Sequence, residues 1–162
     1  MPVFPADATD LTRLLVVGNL RRSVDWYRDV LGAEIVGEYG GTSAVVRFVG
    51  SWLLLVTGGG PTADKPTVTM VAPDDPDRAS AELIVAVPDC RAAHAELAAR
   101  GAAFLADPLE SAWEIRAFFR DPDGHLFEIT ERKPATDRPG YMETVVRGRH
   151  GPEVQPRVTR SP

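Results

Sequence analysis

The run Phe119-Arg120-Asp121-Pro122-Asp123-Gly124-His125-Leu126-Phe127-Glu128-Ile129 places a tight turn between two strand-like segments. Pro122 presets φ for a turn, and Gly124 supplies the positive φ that closes it. The flanking segments, about Trp113 to Arg120 and His125 to Thr130, are rich in aromatic and β-branched residues, as strands are. A shorter run, Ala103 to Leu105, precedes them. Further back, Cys90, Ala93 and Leu97 recur at helical spacing, and Gly101 suits the left-handed residue after a helix end. Asp89 stands where a helix N-cap is needed, because its side-chain oxygen can accept from an unpaired N–H of the first turn. The apolar run Leu83 to Val87 comes before it. Residues 81–132 therefore read as one β-α-β-β-β unit.

The same order occurs in the first half. Leu14 to Val17 is an apolar run, Asn19 an N-cap, and Gly32 a helix end. Leu20, Val24, Tyr27 and Leu31 form the apolar stripe between them. Strand-like runs follow at about Glu34 to Tyr39, Ser43 to Val49 and Trp52 to Thr57. The caps and terminal glycines of the two halves are separated by roughly 70 residues, the spacing of a duplicated unit. The expected organisation is a domain over 9–133, made of module 11–58 and module 81–132, joined by linker 59–80. Gly58-Gly59-Gly60-Pro61 lacks the Lys-Ser/Thr ending of a phosphate loop and reads as a connection. Residues 134–162 read as an irregular, polar C-terminal tail, within which Tyr141 to Arg147 could pair as a strand.

The chain has 162 residues, 44% of them hydrophobic, enough for a full core. Lys plus Arg is 18 and Asp plus Glu is 23, a net charge of -5. That balance argues against a nucleic-acid partner. No apolar run approaches the ~20 residues of a membrane helix, so no membrane partner is expected. Met1 to Asp7 does not read as a secretory signal. The lone Cys90 excludes an internal disulfide, which favours a cytoplasmic location. Its place in a first helical turn would lower its pKa slightly, yet it reads better as a packing residue than as a nucleophile.

Three blocks carry a family resemblance: Ser23-Val24-Asp25-Trp26-Tyr27-Arg28-Asp29-Val30-Leu31-Gly32; Ala93-His94-Ala95-Glu96-Leu97 with Arg100-Gly101; and residues 119–129. In order and spacing they resemble the vicinal oxygen chelate superfamily, also called the glyoxalase, bleomycin-resistance and dioxygenase superfamily. The resemblance implies an α+β fold. In it, two tandem βαβββ modules form an open, curled mixed sheet around a cavity. It also implies a homodimer, with the cavity built within one chain or between two. Many members hold a divalent metal in the cavity on His, Gln or Glu. Others enclose an antibiotic with no metal.

The resemblance places ligand positions on the first and last strands of each module. Counting from the caps gives Thr12 and Glu82, and aligning Thr57 with Thr130 gives Leu55 and Glu128. Only Glu82 and Glu128 suit a hard cation, whereas metal sites usually supply three protein ligands. The expected cofactor is therefore none, or a divalent metal held by Glu82 and Glu128. Glu82 reads equally as an exposed residue at a strand start, and Glu128 as a strand-end partner of another polar group. His94, His125 and His150 fall at none of these positions.

Strand alternation then suggests the lining of the cavity. With Glu128 facing in, Leu126 and Thr130 follow, as do Thr12, Leu14, Leu53, Leu55, Glu82 and Ile84. Trp113, Arg116 and Phe118 are candidates beside them, and Arg47 a further one. A mostly apolar lining with a few polar groups is typical of a small-molecule pocket. The expected function is a small-molecule-binding protein that encloses an apolar or aromatic ligand without a complete catalytic metal site. The alternative is a metal-dependent lyase, isomerase or dioxygenase, or a metal-free enzyme with Glu128 as general base.

Overall fold

The structure is a computed structural model and describes residues 11–134. The N-terminal residues read for a signal, the Tyr141 to Arg147 segment and His150 lie outside the described residues. Both N-caps form as expected. Asn19 Oδ1 accepts the Arg22 N–H at 3.0 Å and starts α1 (Leu20–Asp29). Asp89 Oδ1 accepts the Ala92 N–H at 2.8 Å and starts α2 (Cys90–Ala99). Gly32 and Gly101, with φ of 67° and 103°, lie in the left-handed region just beyond each helix.

The first module is β1 (Thr12–Val17), α1, β2 (Glu34–Tyr39), β3 (Ser43–Phe48) and β4 (Ser51–Thr57). Its sheet runs β1-β4-β3-β2, with β1 parallel to β4 and the other pairs antiparallel. The second module is β5 (Glu82–Ala86), α2, β6 (Ala103–Phe104), β7 (Leu109–Glu110), β8 (Glu114–Arg120) and β9 (Leu126–Arg132). Its sheet runs β5-β9-β8-β6, and β7 also pairs with β8. The strand expected at Ala103 to Leu105 forms as β6, and β7 is a further short strand that the sequence reading did not include. Pro108, which has no N–H to donate to a ladder, stands between them. Both sheets are mixed, open and duplicated in plan.

One face of each sheet packs on the helices. Leu15 and Val17 of β1, Ala44 and Val46 of β3, and Leu53 and Leu55 of β4 are buried beside Leu20, Val24 and Tyr27 of α1. Ile115, Ala117 and Phe119 of β8 and Phe127 and Ile129 of β9 are buried in the same cluster, with Leu83 and Val85 of β5 partly buried against it. The two modules share this core. The Trp26 ring of α1 lies 6.3 Å from Phe119 and 6.4 Å from Phe127, and Phe119 stacks on Phe127 at 5.2 Å. The opposite face of each sheet is turned away from the shared core.

The turn at 121–124 also joins the modules. Asp123 accepts from the Gly18 N–H at 2.8 Å, the Ser23 hydroxyl at 2.6 Å and the Arg22 guanidinium at 2.6 Å. The buried Tyr27 hydroxyl donates to Asp121 Oδ2 at 2.8 Å. Burial, and then the Asp121 charge, push the Tyr27 phenol well above its usual range. The segment between the modules folds back on itself, with Gly59 and Met70 exchanging two backbone hydrogen bonds of 3.0 and 2.9 Å. Asp77 in that segment meets Arg120 at 3.2 Å.

Candidate ligand-binding face

Register settles which side chains share the outward face of each sheet, because strand side chains alternate. In the second module, Glu82 pairs with Leu126, Ile84 with Glu128 and Ala86 with Thr130. Across the next ladder Glu128 pairs with Phe118, Thr130 with Arg116 and Leu126 with Arg120. Glu82, Ile84, Glu128, Arg116 and Phe118 therefore share one face. In the first module the corresponding face carries Thr12 with Trp52, Leu14 with Leu54, and Val16 with Val56.

Two expected lining residues are placed differently. Leu53 and Leu55 lie on the core face, at 3% and 0% exposure, where Leu55 pairs with Leu15 and packs toward α1. Their neighbours Trp52 and Leu54 take the outward face. The one-residue difference arises because Leu15 and Val85, each four before its N-cap, pair with Leu55 and Ile129. The true counterpart of Glu128 is therefore Leu54. Leu53 still borders a cleft of about 240 Å³, whose other wall is Leu83 to Ala86 and which Ile84 also lines. On the same first-module face the Arg47 guanidinium lies 5.6 Å over the Trp52 ring.

Glu128 is the most constrained polar group on the second-module face. It is 4% exposed, flanked directly by Ile84 and Phe118, and has no hydrogen-bond partner among the described residues. Burial raises its carboxyl pKa above the ordinary value; Glu82 and Glu114 raise it further, and Arg116 opposes them. Glu114 was not singled out from the sequence, although its alternation with Arg116 and Phe118 places it on this face. Its carboxylate accepts from Thr130 Oγ1 at 3.0 Å and pairs with Arg116 at 3.4 Å. Arg116 lies over the Phe118 ring at 5.4 Å. Trp113 immediately precedes β8, half-exposed, and its N–H donates to Ser111 Oγ at 3.2 Å. Ile84 is 55% exposed, so this face offers apolar as well as acidic surface.

By register, the four positions at which the resemblance implies metal ligands are Thr12, Leu54, Glu82 and Glu128. Leu54 offers no donor and Thr12 a poor one, so the set falls short of three good protein ligands. Among the described residues no three His, Cys, Asp or Glu side chains stand close enough together to hold a metal ion. The described histidines are used elsewhere. His94 packs 4.1 Å from the Phe104 ring, and His125 Nδ1 lies 2.8 Å from Asp121 Oδ2. Cys90 is fully buried, and burial raises its thiol pKa, against the lowering expected at a helix start.

The chain is similar to known proteins over most of its length. The family model for the Glyoxalase/Bleomycin resistance protein/Dioxygenase superfamily matches residues 10–129. A protein named lactoylglutathione lyase in Neisseria meningitidis is 27% identical over 139 residues, covering 82% of this chain and 96% of its own. A glyoxalase/bleomycin resistance protein/dioxygenase from Nocardioides has the same fold, with a TM-score of 0.66 at 22% identity, over 85% of this chain and 91% of that one. TnmS3, an antibiotic binding protein from Streptomyces sp. CB03234, matches with a TM-score of 0.58 at 21% identity, over 80% and 99%. TioX from Micromonospora sp. ML1 matches with a TM-score of 0.61 at 21% identity, over 78% and 100%. With its duplicated βαβββ plan and a family match spanning both modules, the chain belongs to the glyoxalase/bleomycin resistance protein/dioxygenase superfamily.

Proposed function

We propose that this chain is a small-molecule-binding protein that holds an apolar or aromatic ligand against the outward face of its second module, without a complete catalytic metal site. The observation that carries this reading is Glu128, a buried carboxylate without a protein partner among the described residues, set between Ile84 and Phe118. Apolar surface around a few convergent polar groups is the usual make-up of a ligand site. Thr12, Leu14 and Leu54 would line the corresponding face of the first module. A homodimer that apposes the two kinds of face, working in the cytoplasm, completes the reading. Apposition would add only Thr12 and Leu54 to the two carboxylates, so it would not complete a metal centre. The likeness to an antibiotic binding protein supports enclosure of a ligand as a use of this fold.

Two measurements on the purified full chain test this. Divalent metal is expected to be substoichiometric after dialysis. Small aromatic ligands are expected to shift the NMR signals of Ile84, Leu126 and Phe118. One tightly held divalent ion per chain, or an absence of ligand-induced shifts on this face, overturns the reading.

The raised pKa of Glu128 favours a second reading, a metal-free enzyme that uses this carboxylate as a general base. The relative named lactoylglutathione lyase supplies a substrate to try. If the reading holds, the protein turns over lactoylglutathione and Glu128→Gln slows it by about 10²–10⁴-fold. Turnover that survives the substitution excludes Glu128 as the base.

A further inference from the structure

We propose that the ligand of the second-module face carries a cationic nitrogen, which docks between Glu128 and Glu82 while its apolar or aromatic body lies on Ile84, Leu126 and Phe118. This deepens the binding reading above and rests on it. The inference starts from the charges that register brings together. Glu82 on β5, Glu114 on β8 and Glu128 on β9 share one face. Arg116 is the one cation acting on Glu128 among the described residues. It is already engaged, paired with Glu114 at 3.4 Å and laid over Phe118. Arg120, on the same face, is drawn to Asp77 at 3.2 Å. The neighbourhood of Glu128 is thus left with an excess of negative charge.

The three carboxylates differ in what they still lack. Glu114 has Thr130 and Arg116. Glu82 is exposed and solvated. Glu128, 4% exposed, has no protein donor among the described residues, and its carboxylate depends on the little solvent that reaches it. A donor brought by the ligand supplies that partner. A neutral donor would supply the hydrogen bond alone. A positive one also gains attraction from Glu82 and Glu114, strengthened where water is displaced. A divalent metal asks for more donors than this face has, whereas an ammonium or amidinium group is satisfied by two or three acceptors. The exposed Ile84 and the ring of Phe118 give such a ligand somewhere to lay its apolar part.

Isothermal titration of the full chain with three probes of matched body tests the charge requirement: phenethylamine, phenethyl alcohol and phenylacetate. The expected order of affinity is amine, alcohol, carboxylate, with the amine about tenfold tighter than the alcohol and weakened by added salt. Glu128→Gln is expected to bring the amine to about the affinity of the alcohol. Glu82→Gln, on an exposed residue that folding does not need, is expected to remove part of the same preference, so the test survives any misfolding of the first variant. Alcohol binding equal to amine binding overturns the cationic inference and leaves the binding reading standing. An amine preference that persists in both variants, or no binding of the amine, also overturns it.

Discussion

Glu128 holds its proton to higher pH in the folded chain than in the unfolded one, because burial and two neighbouring carboxylates disfavour its charge. The sign of its effect on stability follows from that. Its contribution is fully present below the unfolded carboxylate range and is lost as pH rises through the raised folded value. Glu128→Gln keeps the shape and removes the titration. Thermal melts should therefore show the variant gaining on the parent as pH rises from the ordinary carboxylate range through the raised folded value, and a constant difference above it. A difference that is flat with pH would sink the idea. At this scale the sequence was partly legible. Glu128 and Glu82 stand at the ligand positions that the family resemblance implies, Ile84 follows from them by alternation, and Arg116 and Phe118 are candidates beside them. The match of Thr57 with Thr130 selects Leu55 where the structure has Leu54, because two threonines say nothing about which residue of β4 pairs with Leu15. Burial under α1 makes that choice, and a shift of one residue exchanges the two faces.

The β3–β4 hairpin turns through Val49 and Gly50, both at positive φ, 48° and 72°. Phe48 pairs with Ser51 across it, so the connection has two residues, and positive φ at both is the geometry that Asn-Gly adopts most easily. Glycine at 50 meets the demand. Valine at 49 is β-branched and exposed, and it pays for a left-handed backbone without burying its side chain. Val49→Asn should raise stability by about 1 kcal/mol in a chemical denaturation curve, with an unchanged slope; a loss of stability would refute the account. The elements themselves were readable from local chemistry: caps, terminal glycines and turn residues act within a few positions of where they stand. The extra strand β7 was not, since it is only two residues long and is defined by its pairing with β8.

Across the whole molecule the two modules are held by α1 against the start of β9. Asp123 has a nearly buried side chain, 3% exposed, and accepts from a backbone N–H, a hydroxyl and a guanidinium of the first module. Asp123→Ala leaves the Gly18 N–H and the Ser23 hydroxyl without it and should cost about 2–4 kcal/mol in denaturant unfolding. Arg22→Ala, which removes a half-exposed partner, should cost no more than about 1 kcal/mol. Equal losses would mean that the ion pair, rather than the buried acceptor, joins the modules. The amino-acid sequence by itself determined the duplicated βαβββ plan and the helix limits, because periodicity, capping and turn chemistry are local and repeat, and its three motif blocks carried the family resemblance. Only the tertiary structure decided that both helix-facing sides merge into one core, that Leu54 rather than Leu55 answers to Glu128, and that Glu128 is buried beside Glu82 and Glu114. Those facts depend on register and on contacts between residues far apart in the chain, where packing chooses among faces that the pattern of residues leaves equivalent.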